Sequence, residues 1–286
     1  MTLPLPELQN LSAAAADDAA RALHEDVGDG DLTASLVPQD RHATARILAR
    51  ESAVICGRPW VDATLRQVDG SIEARWLVEE GARCEANEVV LELAGPARSL
   101  LTAERPTLNF LQLLSAVATK TASFVEAVSG TRAHIVDTRK TLPGLRMAQK
   151  YAVLVGGGTN HRIGLFDAVL IKENHIAAAG SVRAALDAAK RSAAQAKFVQ
   201  IEVEKLSQLE EALAAGATMV LLDNMDMPTL REAVRINAGR AVLEISGGVT
   251  LDGVRALAET GVDRISIGGL TKDVKATDFS MRFTGI

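Results

Sequence analysis

The chain has 286 residues, 48% hydrophobic and 23% charged, with a formal net charge of −5. That length accommodates one α/β barrel or a barrel with a smaller partner domain, and no apolar run is long enough to span a bilayer. Negative net charge and 3% aromatic residues leave no overall attraction for nucleic acid or an anionic membrane, so any anionic substrate must be held by a local cluster of cations.

The opening stretch, MTLPLPELQN, lacks the basic residues and apolar core of a secretory signal, and Cys56 and Cys84 show neither metal-ligand nor redox-motif spacing. These features predict a cytoplasmic protein with reduced thiols. Pro6 to His24 is alanine-rich and reads as helix, leading into the acidic turn EDVGDGDLT, which lacks the later ligands of a calcium loop and reads as a solvated turn or helix cap. From Ala43 to Ala94 short strands follow, ATARILARE, AVICG, EARWLVEEG and EVVLELAG, interrupted by a helix at WVDATLRQV. The stretch EEGARCEANEVVLELAG resembles the barrel-sandwich of a lipoyl or biotinyl carrier, but it has no lysine to modify, since Lys120 is the first in the chain.

Thr102 is placed to cap a long helix running to about Val128, with Pro106 near its first turn and Gly130 past its end. Leu108, Leu111, Ser115 and Ala118 lie along one face of it. Six strand patterns then alternate with helices: AHIVDTRK, FDAVLIKEN, KFVQIEVEK, ATMVLLDN, RAVLEISGG and DRISIGGL. Each apolar run has the length of a strand buried on both faces, so a parallel sheet closing toward a barrel is expected, with too few strands for a complete eight-unit one. A capping box, Ser207 to Glu210, with Gly216 as stop marks one helix, and Thr250 with Gly261 brackets another. The tail DFSMRF alternates like a strand and is expected to return to the first domain.

In such a barrel the active site forms at the carboxyl ends of the strands. Those ends deliver Asp137, Arg139 and Lys140, then Lys172 and Glu173, Glu202 and Glu204, Asp223, and the pairs Gly247–Gly248 and Gly268–Gly269. Glycine pairs let backbone N–H groups approach a phosphate, and both together predict a phosphorylated substrate. VGGGTNHRIGL carries His161 and Arg162 but lacks the spacing of a nucleotide-binding loop. With Arg139, Lys140 and Lys172, His161 and Arg162 make a dense cationic set suited to a polyanion. Glu202 and Asp223 offer oxygen ligands suited to Mg2+ shared with substrate phosphate.

EDVGDGDLT, ERPTLNFLQLLSAVATKT, DTRKTLPGLR, KYAVLVGGGTNHRIGLFDAVLIKENHI, IEVEKLSQLEEAL, LLDNM, EISGGVTLDGVRALAETGVDRISIGGLTK and DFSMRF together resemble the quinolinate phosphoribosyltransferases, over nearly the whole chain. Pro106 and Ala116 depart from the family's pattern at positions that are not site residues. The resemblance implies an α/β fold with a small N-terminal sandwich at 1–115, joined by the tail 273–286, and an incomplete parallel barrel at 116–272. It implies a homodimer with shared sites, and transfer of phosphoribosyl from 5-phosphoribosyl 1-pyrophosphate to quinolinate with loss of CO2 and pyrophosphate.

By the same resemblance Arg139, His161, Arg162 and Lys172 hold the quinolinate carboxylates, helped by Arg105 of the neighbouring subunit. Lys140, Glu202 and Asp223 face 5-phosphoribosyl 1-pyrophosphate and its Mg2+. Ser246, Gly247 and Gly248 with Ile267, Gly268 and Gly269 cradle the 5-phosphate, and Thr138 sits beside them. Lys140, Lys172, Glu202 and Asp223 are the expected catalytic groups. Rival readings are a Schiff-base lyase using Lys172, a pyridine phosphoribosyltransferase acting without decarboxylation, and a non-catalytic binding protein on the same fold.

Overall fold

The computed structural model describes residues 10–192 and 195–285. Its first half runs α1 Leu11–Val27, β1 His42–Ala49, β2 Ala53–Val54, α2 Arg58–Val68, β3 Glu73–Trp76, β4 Arg83–Cys84, β5 Val89–Pro96 and α3 Ala97–Ala127. It continues with β6 His134–Val136, α4 Arg146–Val155, β7 Val169–Ile171, α5 Glu173–Ala179, α6 Val182–Ser192, β8 Val199–Val203, α7 Leu206–Ala214 and β9 Met219–Asp223. The chain ends with α8 Met227–Asn237, β10 Val242–Ser246, α9 Leu251–Ala258, β11 Arg264–Ser266, α10 Gly269–Lys272 and β12 Phe279–Gly285. Contacts divide the described residues into two compact units, one formed by those up to 122 with 141–157 and 270–285, the other by those in 123–140 and 158–269.

The first unit is built on an antiparallel sheet in the order β12-β1-β5-β3. Along β1, Ala43, Ala45, Ile47 and Ala49 are buried while the residues between them are more open, the period-2 pattern of a sheet with one covered face. These side chains pack with Leu91, Leu93, Leu100, Leu108, Leu111 and Phe279 into one core. The tail strand β12 pairs with β1 from Phe279 opposite Ala49 to Gly285 opposite Thr44. The helical segment expected from Pro6 is seen from Leu11, and Pro6 to Gln9 lie outside the described residues.

Several sequence expectations change here. Helix α3 starts at Ala97 and continues through Pro106, so Thr102 is an interior residue rather than a cap. Its hydroxyl donates to Asp31 Oδ2 at 2.9 Å, and Asp31 Oδ1 accepts the Ala34 N–H at 2.8 Å, so the acidic turn is tied to α3. Leu108, Leu111, Ser115 and Ala118 are all buried, and Ser115 Oγ accepts the Cys56 N–H at 3.0 Å. Helix α4, although it falls between the first two parallel strands in sequence, belongs to this first unit. A Cβ on Gly156 would lie 2.8 Å from Thr121 Cβ and closer still to the Ala118 carbonyl, so the first glycine of the triplet is there for backbone packing.

The second unit is a six-stranded parallel sheet in the order β6-β11-β10-β9-β8-β7. β6 and β7, consecutive strands of this sheet along the chain, stand at its two edges, so the barrel is incomplete as expected. Helix α7 is capped differently from the expected Ser207–Glu210 box: Lys205 is its N-cap, and Gln208 Oε1 accepts the Glu204 and Lys205 N–H groups. Thr250 caps α9 as expected, its side chain accepting the Gly253 N–H, and Gly261 follows the helix at φ +94°.

Candidate active site

Alternation along each parallel strand sorts the site. Ile201, Val203, Val220, Leu222, Leu243, Ile245 and Ile265 are buried, and the residues between them face the other way. That other face lines a cavity of about 310 Å³, through Leu170 and Lys172, Glu202, Leu221, Glu244 and Ser246, and Ser266. Thr138, Arg139 and Lys140 after β6 complete its wall with His161 and Arg162. Sequence-predicted residues from four strand ends, those of β6, β7, β8 and β10, and one loop therefore share one cavity.

The cationic wall is assembled by buried hydrogen bonds. Asp137, fully buried at the end of β6, accepts the His161 N–H on Oδ1 at 2.8 Å and the Asn160 amide on Oδ2 at 2.6 Å. His161 Nε2 lies 2.7 Å from Gln200 Oε1, while its Nδ1 accepts the Arg162 N–H at 2.8 Å. An acceptor at Nδ1 puts the ring proton on Nε2, so both ring nitrogens are engaged by the protein and His161 orients its neighbour. Asp167 closes the loop, accepting the Ile163 and Gly164 N–H groups at 2.9 Å each. Burial, and then the adjacent Arg139 charge, lower the Arg162 guanidinium below its usual range. Two neighbouring like charges, Arg162 buried and Arg139 half-buried, facing one cavity are the electrostatic signature of an anion site.

Opposite them stand the carboxylates. Lys172 Nζ donates to Glu202 Oε2 at 2.9 Å, and the Lys172 N–H is capped by His175 Nδ1. Asp223, at the end of β9, is raised above the ordinary aspartate range by burial and then by the Glu202 charge. Asn224, at φ +51°, donates its amide to Asp223 Oδ2 at 2.8 Å and fixes that carboxylate. No group of three or more metal-ligating side chains occurs among the described residues. Two neighbouring carboxylates fit a Mg2+ ion that takes its remaining ligands from water and substrate phosphate.

The glycine pairs differ. Gly247 and Gly248 have φ of +105° and +57°, and a Cβ on Gly247 would strike the Asn224 side chain. Gly268 lies close to the Lys140 side chain: a Cβ there would stand 3.0 Å from Lys140 Cδ and 3.6 Å from Thr138 Oγ1. Ile267 is buried and donates its N–H to the Val136 carbonyl. Arg105 is an exposed residue of α3, in the first unit. Gln200, Glu244, Arg264, Asn224 and Asp167 were missed in the sequence. For Gln200 and Glu244 the signal was present, as polar residues two places before the strand-end candidates Glu202 and Ser246.

A larger hollow of about 470 Å³ lies on the antiparallel sheet, where Glu92 pairs both Arg46 and Arg75.

Residues 31–115 match the quinolinate phosphoribosyl transferase N-terminal domain and residues 117–282 the C-terminal domain of the same family. The chain belongs to the quinolinate phosphoribosyltransferase family. It is 45% identical over 275 residues to the nicotinate-nucleotide pyrophosphorylase [carboxylating] of Mycobacterium leprae, covering 94% of this chain and 96% of that one. It is 40% identical over 260 residues to the probable enzyme of that name from Bacillus subtilis, covering 91% and 90%. The solved nicotinate-nucleotide pyrophosphorylase of Francisella tularensis superposes with a TM-score of 0.94 at 42% identity, over 99% of this chain and 100% of that one. The family's two-domain α/β architecture is the one described above.

Proposed function

We propose that this member of the quinolinate phosphoribosyltransferase family transfers phosphoribosyl from 5-phosphoribosyl 1-pyrophosphate to quinolinate, releasing pyrophosphate and CO2 and giving nicotinate mononucleotide for NAD synthesis. The observation that carries the reading is that Arg139 and Arg162 line one cavity with Lys172 and Glu202, beside the Asp223 carboxylate at the end of β9. A dianionic aromatic acid fits the first set. A sugar diphosphate fits the second, with Lys140, Gly247, Gly248, Gly268, Gly269, Ser246 and Thr138 around its phosphates.

The pyridine nitrogen attacks the ribose carbon as the bond to pyrophosphate breaks, and the electron pair leaves with pyrophosphate. Positive charge builds on the sugar and negative charge on the leaving group, which Lys140 and Lys172 are placed to stabilise. Mg2+, held by Glu202 and Asp223 together with the diphosphate, supplies further neutralisation of that charge when bound. The ribosylated nitrogen is a cation next to the carbon bearing the 2-carboxylate. That carbon-carbon bond then breaks, CO2 departs, and the pair left on carbon takes a proton from water or Lys140. No protein nucleophile is needed.

A Schiff-base lyase reading is disfavoured because Lys172 sits in an ion pair with Glu202 rather than in the apolar setting that makes an amine nucleophilic. We place the enzyme in the cytoplasm; among the described residues no helix is long and apolar enough to cross a membrane. It acts as a homodimer in which Arg105 of the neighbouring subunit completes each site, a reading supported by the exposed Arg105 and the exposed Leu32 and Leu36. The test is incubation with quinolinate, 5-phosphoribosyl 1-pyrophosphate and Mg2+. Nicotinate mononucleotide and CO2 in equal amounts are expected, and absence of both overturns the reading.

A further inference from the structure

We propose that Glu244 is a positioning residue, holding His161 from the cavity floor in the ring form that aims Arg162 at the substrate carboxylates. The inference rests on the function proposed above and adds a residue to the same site. Barrel interiors are ordinarily filled by Val, Ile and Leu. Here the layer one step below the strand ends carries Gln200, Glu244 and Arg264 on β8, β10 and β11. Glu244 and Gln200 are fully buried. Glu244 stands directly beside Arg264 in the parallel register, and its Oε2 accepts the Arg264 Nε–H at 2.9 Å.

Its other oxygen is what points to a role. Oε1 is buried without a hydrogen-bond partner, lies 3.7 Å from His161 Nε2, and belongs to a residue lining the cavity. A buried carboxylate there favours the imidazole form that presents N–H rather than a lone pair toward it. With the proton on Nε2, Gln200 Oε1 accepts it and Nδ1 remains an acceptor for the Arg162 N–H. Moving the proton to Nδ1 would set two N–H groups against each other at Arg162 and turn a ring lone pair toward Glu244. The carboxylate thus acts through His161 on the backbone that carries the Arg162 guanidinium, without touching substrate.

The test compares Glu244→Gln and Glu244→Asp with the wild type by ring-nitrogen NMR of 15N-histidine-labelled protein, the His161 signals being assigned with His161→Asn, and by steady-state kinetics. The proposal expects the wild-type ring to carry its proton on Nε2 and Glu244→Gln to shift it toward Nδ1. KM for quinolinate should rise at least about tenfold while KM for 5-phosphoribosyl 1-pyrophosphate stays nearly constant, with partial rescue in Glu244→Asp. Should Glu244→Gln unfold because Arg264 loses its counter-charge, the double variant with Arg264→Met carries the same expectations. An unchanged ring form, or equal losses for both substrates, overturns the proposal. The NMR measurement needs no substrate, so it separates this inference from the proposed reaction, which fails only if the wild type makes no product.

Discussion

Lys172 Nζ lies 2.9 Å from Glu202 Oε2, so the ends of the neighbouring strands β7 and β8 meet through an ion pair at the cavity wall. Glu202 in turn acts on Asp223, at the end of the next strand, β9. The cation, the two carboxylates and the substrate diphosphate form one electrostatic unit in the proposed reaction. Chelation by EDTA is expected to stop product formation and excess Mg2+ to restore it. Glu202→Gln and Asp223→Asn should each raise the Mg2+ concentration for half-maximal rate roughly tenfold or more. Titration of initial rates with Mg2+ measures both, and unchanged midpoints would remove the two carboxylates from that role.

Arg139 and Arg162 line one cavity, and the Arg162 guanidinium donates to the Ala168 carbonyl at 3.3 Å. Leaving one substrate carboxylate unpaired in a desolvated site costs about 3–5 kcal/mol. Arg139→Ala or Arg162→Ala should therefore weaken quinolinate binding more than about a hundredfold by calorimetry. Near-normal affinity in either variant would reassign the wall.

Shared sites make a mixing prediction. Arg105→Ala and Lys172→Ala subunits, each inactive alone, should regain activity when exchanged, because a hybrid dimer retains one site built from intact halves. Subunit exchange followed by native mass spectrometry, with no recovered activity, would argue for self-contained sites.

Asp167 makes a pH prediction. Burial raises its carboxyl, but the Ile163 and Gly164 N–H groups and Lys197 outweigh that, and the net shift is downward. A depressed folded-state value adds stability above the unfolded value of about 3.9, and that stability is lost as pH falls through the folded value. Asp167→Asn should therefore be less stable than wild type at pH 7 by about 1–3 kcal/mol, with the gap closing below pH ~3.9. Urea unfolding at both pH values measures it, and a constant gap would contradict the assignment.

Gly156 tests the reading of the glycine triplet. Gly156→Ala forces a Cβ against the Ala118 carbonyl and Thr121 on α3 and should cost about 1–3 kcal/mol. Thermal unfolding of the variant unchanged from wild type would return the triplet to a purely conformational role.

The six parallel strands, the returning tail and most strand-end charges were legible because each depends on a short stretch of sequence: five apolar residues, then a charge. The helix starts were less so. Thr102 looked like a cap by residue type, yet its hydroxyl is used by Asp31, seventy-one positions earlier, which no local pattern reveals. Likewise α4 reads as part of a strand–helix repeat, and only packing against α3 and α1 assigns it to the other unit.

Taken alone, the sequence determined which elements form and which charges reach the carboxyl edge of the sheet, since strand period and apolar run length are properties of neighbouring residues. Tertiary structure decided what those charges do. Whether Lys172 meets Glu202, whether Glu244 stands behind His161, and which nitrogen of that ring carries the proton all depend on strand order and register. These bring together groups tens of residues apart to distances at which hydrogen bonds and buried charges act.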